Sequence, residues 1–217
     1  KKTLGTIREG FAYVKARPDL YVVMIAVFFA ATFGLNFQIF NALMARGEFN
    51  KGAASFGLLG TFIAVGSLSG ALLSARLEKQ RNTMFVIRMG AVFSFVVMAL
   101  SVMPTYTLYA IWLPICGFTA LTMLITANSL MQMHSDPAIR GRITGIYMLI
   151  FMGGTPFGSM AIGYLVEVIG VRESVAVCGG ISLVGMLSIW FYYKDKVGVP
   201  TDITVEGVLP ANYEDPR

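Results

Sequence analysis

Apolar positions in this chain fall in long blocks, not in one-sided helical stripes or in alternating strands. Six blocks stand out, at about Leu20–Ala45, Gly52–Ala75, Thr83–Met103, Thr107–Met133, Ile139–Ile169 and Ser174–Tyr193. Each is near or above the roughly 20 residues that a membrane-spanning helix needs. The connections are short: Arg46–Lys51, Arg76–Asn82, Pro104–Tyr106, His134–Ala138 and Gly170–Glu173. Lipid offers backbone groups no partners, so only helices or a closed barrel can span it. Alternating strands of the barrel kind are absent. The pattern predicts an all-α polytopic membrane protein with a six-helix transmembrane bundle over 20–194.

The flanks read differently. Residues 1–19 form a polar, basic linker in which Ile7, Phe11 and Val14 recur at helical spacing, predicting a short interfacial amphipathic helix that ends near Pro18. Residues 195–217 are polar, contain prolines and lack a helical apolar period, as expected of a mobile cytoplasmic tail. Trp190, Tyr192 and Tyr193 ahead of Lys194 suit an interfacial aromatic anchor.

Composition agrees with the pattern. The 217 residues are 56% hydrophobic and 13% charged, where a soluble domain carries about 25% charged residues. The polar start leaves no apolar core for a cleavable signal peptide. Lys stands at position 1 in place of Met, so a processed start or, in preference, a fragment boundary is expected there. Cys116 and Cys178 lie inside apolar blocks and read as small buried hydrophobes, not as a disulfide. A net charge of +5 would suit nucleic acid, but its distribution points to lipid. Of the 17 Lys and Arg, only Arg46, Lys51 and Arg172 fall on one side, and Arg88 can snorkel from within the third block. Positive charge marks the cytoplasmic side, so both termini are expected there, with the protein in the cell membrane.

Polar groups at membrane depth sort the helices. The first block carries Thr32, Asn36, Gln38 and Asn41, and the fourth carries Thr119, Thr122, Thr126, Asn128, Ser129 and Gln132. Unpaired amides in hydrocarbon cost several kcal/mol each, so these faces should meet a cavity or a partner helix. Interhelical hydrogen bonding is the plainer alternative. Pro114 and Gly117 permit a bend in the fourth helix. Small residues recur at Gly66 and Gly70 of the second block and at Gly154, Pro156 and Gly158 of the fifth, and such stripes let another backbone approach. The third and sixth blocks hold few strongly polar groups, and lipid exposure is their simplest role. No Asp, Glu or Lys sits near the middle of a block, His134 stands alone at a helix end, and no HExxH or phosphate-cradling motif occurs. No enzyme, metal or cofactor is expected.

Several stretches together carry a family resemblance: Glu9–Val14 leading to Arg17–Leu20, Thr32–Gln38, Gly57–Gly60, Gly66–Arg76, then Asn128, Gln132, Arg140–Arg142 and Gly153–Gly158. In this order the sequence resembles the C-terminal six-helix half of a major facilitator superfamily transporter, of the bacterial drug and siderophore exporter type (the enterobactin-exporter-like group). The resemblance implies two six-helix halves that rock around a midplane substrate site. It also implies that the first and fourth helices line the cavity, the second and fifth face the other half, and the third and sixth face lipid. On that basis Asn36, Gln38, Asn41, Asn128 and Gln132 are expected cavity contacts, with Phe33, Phe37, Phe40 and Met123 as apolar surface. Gly66, Gly70, Gly154, Pro156 and Gly158 are the expected interface between halves.

Arg76 and Arg81 correspond to a degenerate copy of the cytoplasmic gating motif, whose acidic residue is absent because Ala75 precedes Arg76. Arg140 and Arg142 are expected at the headgroups or against a neighbouring loop, after a helix start capped at Asp136-Pro137. Export of a small organic solute is the implied activity, with the lipid bilayer, the solute and a missing N-terminal half as partners. A truncated, inactive half or scaffold, and a homodimerising half-size transporter, are the alternatives.

Overall fold

A computed structural model describes residues 3–76 and 82–196. The chain is all-helical over this range, with six helices long and apolar enough to cross a membrane. Helix α1 (Thr3–Ala16) precedes the first span, Pro18–Glu48, which is not one helix. It comprises α2 (Pro18–Phe29), a π-helical segment (Ala30–Gly34), α3 (Phe37–Leu43) and a second π-helical segment (Met44–Glu48). The remaining spans are α4 (Ala53–Arg76), α5 (Thr83–Leu100), α6 (Tyr106–Met133), α7 (Arg140–Ile169) and α8 (Val171–Lys196).

Local chemistry explains the boundaries. Arg17 is extended and Pro18 occupies the first turn of α2, where a missing N–H costs nothing and the fixed φ suits the helix. Asn82 and Thr105 cap α5 and α6 by accepting from the backbone N–H of Phe85 and Leu108. Asp136 accepts from Ala138 N at 2.9 Å, but this makes a turn ahead of the helix, and α7 itself starts at Arg140. Between α7 and α8 the corner is Gly170 alone, at φ +94, a conformation that side chains rarely adopt.

Glycines set how closely the helices pack. A Cβ on Gly66 would overlap the Pro114 carbonyl of α6, one on Gly70 would meet Phe118 O at 2.5 Å, and one on Gly117 would overlap Ile63 O. Backbone therefore lies against backbone along the α4–α6 seam. The same holds where α7 meets the break in the first span: a Cβ on Gly158 would overlap Thr32 O, and one on Gly154 would stand 2.6 Å from Thr32 Oγ1. In a bilayer, where tails are as apolar as leucine, such close approach supplies much of the packing attraction between helices.

α5 and α8 form a third seam, with Gly90 against Met186, Gly179 against the Met98 backbone, and a 2.8 Å hydrogen bond between the Ser94 and Ser182 hydroxyls. Lipid exposure is thus only one face of these two helices. Phe95 and Phe191 point outward, while half of α5 and 44% of the most apolar 18-residue stretch of α8 are buried. The least covered spans are the second and the fifth, with 17% of the most apolar 18-residue stretch buried in each.

Helix α1 packs on α7, where a Cβ on Gly10 would stand 2.6 Å from Ile146 Cδ1. Its buried face carries Tyr13 and Val14, whereas Phe11, expected on that face, is 45% exposed. Lys1, Lys2, Arg81 and residues 197–217 of the expected tail lie outside the described residues.

The glycine seams make a direct prediction. Gly66→Ala should destabilise the folded chain by about 1–3 kcal/mol through overpacking. Gly60→Ala, where nothing lies within 4 Å of the new methyl, should be neutral or stabilising by up to about 1 kcal/mol through helix propensity. Thermal unfolding of both variants in one detergent gives the comparison.

Candidate functional site

The break in the first span places its polar residues. Helical bonding stops at Gly34, and Asn36 takes up a slack carbonyl by donating from Nδ2 to Thr32 O at 2.9 Å. Both residues are buried, with 5% and 3% exposure for Thr32 and Asn36. Thr32 Oγ1 and Asn36 Oδ1 nevertheless lack a hydrogen-bond partner among the described residues. Each such orphaned group costs about 1–3 kcal/mol. The aromatic groups of this region stack in series: Phe33 on Phe29 at 6.4 Å, and Phe37 edge-on to Phe93 at 5.9 Å.

The sequence-predicted cavity residues do not converge. Asn41 is 3% exposed and its Oδ1 accepts from the Tyr109 hydroxyl at 2.9 Å, so it is spent on an internal seam and not on a cavity wall. Phe40 and Met123, expected as cavity surface, are fully buried. Thr119, Thr122 and Thr126 turn their hydroxyls onto helix carbonyls, Thr122 reaching Gly70 O across the α4–α6 seam. Gln38 is exposed. Asn128 and Gln132 pair with each other one turn apart on α6, the Gln132 amide donating to Asn128 Oδ1.

Helix rise shows why these two exposed groups stay apart. The hydrogen bond sets Asn41 level with Tyr109. Gln38 is one turn below Asn41, Asn128 about five turns below Tyr109, so roughly 24 Å separates them along the bundle. Gln38 lies roughly 9 Å from the end opposite the basic one, and the Asn128–Gln132 pair near the basic end.

The interface residues are also placed differently. Gly66, Gly70, Gly154 and Gly158 are all buried within the bundle, in the two glycine seams. They cannot at the same time face another half. Pro156 is exposed, as are the bulky residues on the opposite faces of the same helices: Leu58, Val65, Leu68 and Leu72 on α4, and Leu149, Met152, Phe157, Met160 and Tyr164 on α7. Spacings of seven, three and four put the α4 set on one stripe, and spacings of three, five, three and four spread the α7 set over one broad face.

Two charged clasps were not anticipated. At the basic end, buried Asp19 accepts from Arg17 at 3.1 Å on both oxygens, and the His134 ring nitrogen stands 3.0 Å from Asp19 Oδ2. This ties the start of α2 to the end of α6. At the opposite end, Arg172 pairs with Glu48 at 2.7 Å and donates to the Ser101 and Met103 carbonyls. A cation at the last carbonyls of α5 also complements that helix's dipole. Of the predicted gating residues, Arg76 is exposed at the end of α4, Arg140 reaches Ser135 O at 3.4 Å, and Arg142 pairs with Glu9 of α1 at 3.2 Å. Lone loop charges give no sign of such pairing before the ends of the helices are placed.

The Asn41–Tyr109 bond can be tested by a double-mutant cycle. Asn41→Leu, which leaves a buried hydroxyl unpaired, should cost about 1–3 kcal/mol. Adding Tyr109→Phe should recover part of that loss, giving a coupling of roughly 0.6–2 kcal/mol in thermal unfolding.

Comparison with known proteins supplies the family. No solved structure matches the chain. The enterobactin exporter EntS of Citrobacter koseri (strain ATCC BAA-895 / CDC 4225-83 / SGSC4696) is 28% identical over 142 residues, which is 64% of this chain and 34% of that protein. The enterobactin exporter EntS of Salmonella choleraesuis (strain SC-B67) is 27% identical over 137 residues, 62% of this chain and 33% of that one. The chain thus spans about a third of the length of the curated relatives it matches. The model of the transmembrane secretion effector family of the major facilitator superfamily matches residues 1–200. With six apolar helices and no strand among its described residues, the chain belongs to that family of membrane transport proteins.

Proposed function

We propose that this chain is one six-helix half of a secondary active exporter of a small organic solute, drug-like or siderophore-like. The other half docks on the uncovered faces of α4 and α7, and the two halves rock for alternating access. The observation that carries the reading is the family match across residues 1–200. Supporting it, α4 and α7 each leave a bulky apolar stripe uncovered while the other spans are far more enclosed. The relatives' printed name, enterobactin exporter, supports export and a sizeable organic cargo.

In this reading the break at Ala30–Asn36 is the working part of the first span. A rocking motion or a hydroxyl-bearing solute would give Thr32 Oγ1 and Asn36 Oδ1 the partners they lack here. Gln38 meets the solute toward the end opposite the basic one, with Phe33 and Phe37 as its apolar neighbours, and the Asn128–Gln132 pair meets it at the basic end. We place that basic end, with both termini, at the cytoplasmic side of the cell membrane.

The test uses the chain within its complete polypeptide in a cell that accumulates enterobactin or apolar dyes. Gln38→Ala combined with Asn128→Ala should lower efflux about tenfold, the equivalent of roughly 1.4 kcal/mol in transition-state or solute affinity, with membrane abundance unchanged. Unchanged efflux would rule out these contacts. Proton-driven export by liposomes containing this chain alone would overturn the need for a partner half.

A further inference from the structure

Two apolar grooves open on either side of one ridge of α2. The larger, about 700 Å³, lies between α2 and α8, with Val22, Phe29, Gly180 and Val184 on its walls. The smaller, about 450 Å³, lies between α1, α2 and α7, with Phe11, Met24, Phe28 and Ile150 on its walls. Tyr21 and Ile25 line both, so the grooves run side by side with that ridge between them. Neither is lined by α4, and α7 contributes only Ile150, so they are distinct from the stripes assigned above to the other half.

Among the described residues, the only charged one lining either groove is Lys15, exposed on α1 at the basic end. Its cationic neighbours are occupied: Arg17 on Asp19 and Arg142 on Glu9. No carboxylate pairs with Lys15 among the described residues. Beyond Tyr192, Lys194 and Asp195 are both exposed at the end of α8 and offset each other. An unpaired cation above twin apolar grooves complements a molecule with one anionic head and two tails.

We propose that an anionic glycerophospholipid, taken from the leaflet at the basic end, binds across the Tyr21–Ile25 ridge with one acyl chain in each groove and its phosphate against Lys15. The tails gain little over bulk lipid, so headgroup charge sets the selectivity. One lysine near a membrane surface gives about a fivefold preference for an anionic over a zwitterionic headgroup. The inference needs only a membrane-embedded bundle and stands whether or not the chain is half of an exporter.

The experiment supplies the full chain, purified in detergent, with equal amounts of dioleoylphosphatidylglycerol and dioleoylphosphatidylcholine, and counts retained lipid by native mass spectrometry. Phosphatidylglycerol should be retained about fivefold over phosphatidylcholine. Lys15→Gln, an exposed position, should abolish that preference. Gly180→Leu, where nothing lies within 4 Å of a new Cβ, should project into the larger groove and lower retention of both lipids. Equal retention by the parent chain, an undiminished preference in Lys15→Gln, or displacement of the lipid by a single equivalent of oleate would each overturn the proposal.

Discussion

Glycine set against a carbonyl oxygen is the contact on which the rest of this bundle depends. At Gly66 against Pro114, Gly117 against Ile63 and Gly158 against Thr32, a single methyl group would not fit. Helices in lipid gain little from hiding apolar surface, so they hold together through close packing and buried hydrogen bonds. The α4–α6 and α7–first-span seams provide the packing. The hydrogen bonds of Asn41 with Tyr109 and Ser94 with Ser182 add to it, and the Asp19 and Arg172 clasps secure the two ends.

That constraint determines the outer surface. A helix that turns its small residues inward must turn its bulky ones outward. α4 therefore presents Leu58, Val65, Leu68 and Leu72, and α7 presents Met152, Phe157, Met160 and Tyr164. It also shapes the first span. Gly158 lies against Thr32 O where the chain has left regular α-helix, and Asn36 donates to the same carbonyl. Two oxygens stay without partners at the same place. A packed seam and a polar break thus share one residue, Thr32.

Much of the architecture was legible in the sequence because span length and apolarity are local properties. The six blocks, the short polar corners and the Pro18 start can be read without knowing any neighbour. Partnership is not local. A glycine stripe announces that some backbone comes close, but Gly66 and Gly158 carry no mark of whether that backbone belongs to this bundle or to another. The family resemblance suggested the other half, and the structure puts both stripes inside. Asn41 illustrates the same limit: an amide at membrane depth needs a partner, and Tyr109, distant in sequence, supplies it. The π-helical segment Ala30–Gly34 was invisible because its composition matches that of the surrounding helix. Arg172, read as a minor outer-side charge, proved to be a clasp because the first span and α5 both end beside it.

The central claim is that the small faces of α4 and α7 are spent inside this bundle, which leaves their bulky faces for the proposed other half. A cryo-EM structure of the complete polypeptide in a lipid nanodisc tests it most directly. The account predicts Gly66 and Gly158 in van der Waals contact with Pro114 and Thr32, and Leu68 and Met152 covered by helices from outside residues 1–217. Gly66 and Gly158 found facing those outside helices, with Leu68 and Met152 in lipid, would contradict it.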